Sequence, residues 1–263
     1  MLDKIDSKTK ANLSDLANKI YDDGLKKTVQ ATGDCIALIP KAIKAALEPI
    51  EQIILYKEYN LAVTKKMLAE KLDHIDSEDI VPPEPHIAIP AIDAISYCIN
   101  SNELRNLYAN LIARSMLKNQ KDNVHPAFVE IIKQLSPTDA AILKNLYNQF
   151  CLSVPLVSVN LRNIHKNEYI SVIKNVCRIH SYSYPTIATT IENLNRLKLF
   201  DIVSNVCFSD ITEYDSIINS PDFMRFLNQR VLHNSDYKFD FIKSVSQPTE
   251  FGLAFCNICI KDL

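Results

Sequence analysis

Glycine is almost missing from this chain: Gly24, Gly33 and Gly252 are the only ones in 263 residues. Loops that cradle phosphate need several glycines close together. Three isolated ones argue against a P-loop or dinucleotide-binding enzyme. A charge-free hydrophobic run of membrane length is missing too. The best candidate, Cys35 to Leu55, is interrupted by Lys41, Lys44, Glu48 and Glu51, which speaks against a spanning helix. Charge of one sign is also lacking. The formal net charge of -2 leaves room for a local basic face but excludes a chain that is cationic overall. The start, MLDKIDSKTKANLSDL, has no apolar stretch of the kind a secretory signal carries. The 7 cysteines are odd in number and scattered. Free thiols in a reducing cytoplasm are the expectation. Tryptophan is absent, which carries no functional weight.

What is present is a globular composition, 47% hydrophobic and 23% charged, with strong helical periodicity in the first third. Leu13, Leu16, Ile20, Leu25 and Val29 approximate helical spacing. Ile36, Ile39, Ile43, Leu47, Ile50 and Ile54 follow it more closely, with Pro40 and Pro49 as expected kinks. Leu61, Leu68, Leu72 and Ile75 mark a third helix, with Lys57, Lys65, Lys66 and Lys71 on its solvated sides. The 36–54 stripe suits a packed bundle. Glu48 and Glu51 argue against peripheral membrane contact. Apolar stripes on these helices allow self-association into a homo-oligomer.

Four prolines in SEDIVPPEPHIAIP, Ser77 to Pro90, predict an extended strap. Asn100 and Glu103 have capping-box spacing. They precede a stripe of Leu104, Leu107, Tyr108, Leu111, Ile112 and Met116. A short helix is expected from His125-Pro126 and another from Ser136-Pro137-Thr138-Asp139, where a cap, a proline and an acid come in the right order.

These blocks, PPEPHIAIPAIDAISYCINSNELRNLYANLIARSM and VHPAFVEIIKQLSPTDAAIL, resemble the Abi-alpha family, named for abortive infection, a bacterial defence against phage. The likeness is best over roughly residues 80–150. It implies antiphage defence and supplies no catalytic residue.

Beyond residue 150 the expected order is a strand in PLVSVNL, a helix on Tyr169, Val172, Ile173 and Val176, a helix in TIATTIENLNRLKLF, and strands in DIVSNVCF and YKFDFIKSV. Thr249 caps a last helix. Helix, helix, strand, strand is similar to a winged helix. The overall expectation is a mainly α protein: long amphipathic helices over 1–80, a compact helical domain over 81–150 and a winged-helix-like α+β domain over 151–263. If that last domain binds nucleic acid, Lys174, Arg178, Arg196 and Lys198 are the expected phosphate contacts. The nearby Asp210, Glu213, Asp215 and Asp222 oppose that use.

No residue set points to catalysis, a metal or a cofactor. Cys256 and Cys259 form one CxxC without a second pair, and helical spacing with Phe251, Phe255 and Ile258 makes them core residues. DITEYD lacks the glycine of a calcium loop. His125, Arg105 and Arg114 are the candidates for an anion or ligand pocket. The leading expectation is defence through a protein partner or phage component. A nucleic-acid-binding regulator and an uncharacterised effector enzyme are the alternatives.

Overall fold

The computed structural model describes residues 58–98, 101–150, 153–179, 181–230 and 236–263. The stripes expected over 13–29 and 36–54, and Asn100, lie outside them. The chain forms two compact units. One holds the described residues as far as Pro137 together with Asn257–Leu263; the other is Thr138–Cys256.

The first unit is helical. It contains α1 (Glu58–Leu72), α2 (Pro85–Ile95), α3 (Asn102–Ser115) and α4 (Ala127–Lys133). Every residue from Leu107 to Leu117 is buried, so α3 is the central helix, enclosed on all sides rather than on one stripe. Leu68 and Leu72 of α1, Ile87, Ala91 and Ile92 of α2, and Phe128 and Ile132 of α4 complete its surroundings. Ser101, one position after the expected cap, closes the start of α3: its hydroxyl accepts from Leu104 N at 3.2 Å and donates to Glu103.

The proline-rich segment is only partly a strap. Ile80 bridges Leu117, and Val81 N donates to Met116 O at 2.8 Å. From Pro85 on it is helix, with Pro90 inside. Proline suits a first helical turn, and Ile87, Ala88, Ala91, Ile92 and Ile95 are buried along one side. Burial of that side overrides the local preference of X-Pro for extended backbone.

The second unit corrects the expectation of a mainly α protein. After α5 (Pro137–Phe150) come β1 (Val154–Asn163), β2 (Tyr169–Val176), α6 (Tyr184–Arg196), β3 (Phe200–Val203), α7 (Thr212–Ile218), α8 (Pro221–Arg230), β4 (Tyr237–Pro248) and α9 (Glu250–Phe255). The strands form one antiparallel sheet in the order β2-β1-β4-β3. The chain is mixed α/β, and the winged-helix-like arrangement is not what it adopts. The expected helix at Tyr169–Val176 is a strand, and β4 pairs along its length with β1.

The reason lies in a short apolar run that fits two periods. Tyr169, Val172, Ile173 and Val176 recur at helical spacing, yet they are the β-branched and aromatic residues that strands prefer. The deciding feature is the turn before them. Asn163 Oδ1 accepts from the backbone N–H of His165 (2.8 Å) and Lys166 (3.0 Å), and Asn163 N donates to Glu168 O. That side-chain-supported turn reverses the chain and lays β2 beside β1. Inside this unit Val157, Val159, Ile173 and Val176 pack with Tyr214 and Ile217 of α7 and with Phe223 and Leu227 of α8.

Candidate functional site

The three pocket candidates of the first unit have separate tasks. Arg114 is 4% exposed. Its guanidinium donates to Ile258 O at 3.0 Å and Asp262 O at 3.4 Å. One turn earlier Asn110 Nδ2 donates to Cys259 O at 2.9 Å. Both side chains therefore hold the main chain of Cys256–Ile260, a turn of π-helix, and its continuation. The carbonyls at the end of a helix lack intrahelical donors, and these two side chains supply them. Arg105 is half-buried and donates to Asn102 Oδ1 on its own helix. His125 is exposed. Its Nδ1 accepts from Ala127 N at 3.1 Å, and its ring lies 5.9 Å from that of Phe128. It thus caps α4.

The same unit contains a cavity of about 610 Å³ that none of these three residues lines. Ile89, Pro90 and Ala94 of α2, Leu104 and Tyr108 of α3, and Ile132 of α4 give it apolar walls. Asp93, Cys98 and Lys133 contribute polar groups. Lys133 pairs with Glu130 at 2.7 Å. Tyr108 is among the residues around the cavity but is only 1% exposed, so almost none of its side chain faces the open space. Its hydroxyl is buried and has no hydrogen-bond partner among the described residues. Burial pushes the phenol pKa up, with further upward contributions from Cys98, Glu130 and Cys259. Burial also raises the Cys98 thiol, which Arg105 partly offsets. Sequence periodicity placed Tyr108 in an apolar stripe; periodicity carries no signal that its hydroxyl would be left over.

In the second unit the basic candidates lie on and just after β2 and at the end of α6. Lys174 lies exposed on β2 and Arg178 exposed just beyond it. Arg196, at the end of α6, donates to Asn193 Oδ1. Lys198 pairs with Asp201 at 3.1 Å. Asp139 and Thr190 are buried together: Thr190 Oγ1 donates to Asp139 Oδ1 at 2.6 Å, and Asn193 Nδ2 donates to Oδ2 at 3.2 Å. A carboxylate read from sequence as a helix-dipole partner thus also ties α5 to α6.

The edge strand β2 is apolar and open at one end. Tyr169 is 49% exposed and Ile170 52%, and Ile164 in the adjoining turn is 46% exposed. Ile170 stands opposite Leu161, which stands opposite Phe239, so three apolar residues lie abreast across three strands. Arg162 covers the Tyr169 ring at 5.9 Å.

Cys256 and Cys259 are buried, and burial pushes the Cys256 thiol up to about 12. Among the described residues no group of three or more His, Cys, Asp or Glu side chains is arranged to hold a metal. No described helix is long and apolar enough to cross a membrane.

The family model for abortive infection alpha matches residues 56–259. The chain belongs to the abortive infection alpha family. The match runs from the start of α1 to the π-helical turn, so it takes in both units and not just the proline-rich and ELRNLYANLIA blocks. No curated protein and no solved structure matches the chain. Membership in this family ties the chain to abortive infection, the antiphage response for which the family is named.

Proposed function

We propose that this abortive infection alpha protein acts in antiphage defence by binding a protein partner at the open end of its sheet. The observation that carries this reading is the exposed apolar end of β2, formed by Ile164, Tyr169 and Ile170. Apolar side chains cluster at recognition surfaces because their removal from water drives association. An edge strand adds a second attraction, since its outer main-chain groups pair with an incoming extended segment. Asn175, with φ of 55°, lies near the opposite end of the strand. It donates to Ser158 Oγ at 3.0 Å, near the register shift between Val157 and Val159. The irregularity limits a regular pairing to the Tyr169–Ile173 end, where the apolar residues are.

Phage challenge of cells carrying the gene, the Ile170→Asp variant or no gene tests the reading. The unsubstituted protein lowers phage yield. Ile170→Asp loses that protection while the purified variant keeps its melting temperature. Full protection by the variant would remove the patch from the mechanism, and unchanged yield with the unsubstituted gene over a broad phage panel would remove the defence role.

A further inference from the structure

We propose that the sheet face carrying Tyr169, Arg162 and Lys238 binds a single strand of nucleic acid, with the two cations on phosphates and the Tyr169 ring under a base. The strand register sets these residues abreast. Arg162 stands opposite Tyr169 of β2 on one side and opposite Lys238 of β4 on the other. All three are exposed, and neighbouring strands are only about 4.8 Å apart. Like charges directly opposite one another weaken a strand pair. Neither cation pairs with an acid among the described residues. The Arg162 guanidinium lies over the Tyr169 ring at 5.9 Å instead. Phosphates relieve the repulsion between the cations, and a base covers the exposed ring.

The charge balance around this row is positive. Asp240, half-buried in the next row opposite Asn160, stands against Arg162, Lys238 and the exposed Lys174. In the adjoining turn Lys166 offsets Glu168, and Asp236 lies 3.7 Å from His165. The acids that follow β3 in sequence are elsewhere. Val159, Ile173 and Phe241 point to the side of the sheet that α7 and α8 cover, and Glu213, Asp215 and Asp222 belong to those helices. Arg162 and Lys238 point to the other side, because they fall on alternate positions of their strands. A duplex hides the faces of its bases, so a stacking ring selects a single strand. Such a strand is a second partner: Ile170 of the protein-binding edge is opposite Leu161, one position along from this row.

Fluorescence anisotropy of the full chain with a labelled oligothymidylate of about ten nucleotides, at about 50 and 200 mM salt, tests the site. Binding is saturable and weakens as salt rises. Arg162→Gln and Lys238→Gln each lower the slope of log affinity against log salt by about 0.7, the counterion release of one phosphate contact on a single strand. Tyr169→Ala weakens binding roughly tenfold and leaves that slope unchanged, a split that a loss of structure does not produce. Lys198→Gln, which removes the cation paired with Asp201, changes neither quantity. The same strand annealed to its complement binds more weakly. Absence of saturable binding, or binding indifferent to salt, overturns the proposal. So does an unchanged slope in either sheet-face glutamine variant, full affinity in Tyr169→Ala, an equal effect of Lys198→Gln, or a duplex held as tightly as the single strand.

Discussion

One buried polar cluster in each unit invites comparison. In the helical unit Asn110 and Arg114 reach main-chain carbonyls of Cys259, Ile258 and Asp262. In the sheet unit Asp139 accepts from other side chains, Thr190 and Asn193. The distinction matters because a carbonyl cannot be mutated away. Deleting a donor in the first unit leaves carbonyls that no second substitution removes. In the Asp139 cluster both partners can be deleted together. Buried polar groups cost most when one partner is removed and the other stays.

Arg114→Ala carries the largest expected effect. It strips donors from two carbonyls and removes a buried stem, with a loss of about 4 kcal/mol for charged hydrogen bonds of this kind. Urea unfolding measures it, and proteolysis of the last residues rises in parallel. A loss no larger than that of a surface arginine would break the comparison.

Gly252→Ala comes next. A Cβ there would stand 1.8 Å from Leu199 O, a main-chain atom that already accepts from Thr249 N. Overpacking against backbone predicts a loss of about 3 kcal/mol, read from the same unfolding curves. Here the second unit, like the first, depends on an immovable carbonyl.

Thr190→Val keeps shape and removes the 2.6 Å donor to Asp139, for about 2 kcal/mol. Adding Asp139→Ala is expected to cost less than the sum of the two single changes, with a coupling of about 1 kcal/mol. Strict additivity in the double-mutant cycle would show that the pair does not act as a unit and would remove the contrast with Arg114.

Helix starts were legible in the sequence because they depend on neighbours a few residues away. Ser136-Pro137 opens α5, Thr249 caps α9 and accepts from Gly252 N at 2.9 Å. The Ser101 cap lies one residue from the expected position, within the drift of such signals. The strand β2 was misread as a helix because eight residues fit both periods and the deciding Asn163 turn looks like any polar loop. Among the candidate site residues, the sequence singled out Arg114 without revealing that it reaches a turn 144 residues away. It gave Tyr108 only as one member of a stripe.

By itself the sequence determined the family, through the proline-rich and ELRNLYANLIA blocks, and the starts of α4, α5 and α9, through caps and prolines. Those are local properties, fixed by short-range hydrogen bonding and backbone sterics. Only the tertiary structure decided that the second unit contains a four-stranded sheet, that Arg114 is buried against carbonyls, and that the Tyr108 hydroxyl is buried without a partner among the described residues. Each of these depends on which distant groups meet, and neither periodicity nor composition encodes a long-range meeting.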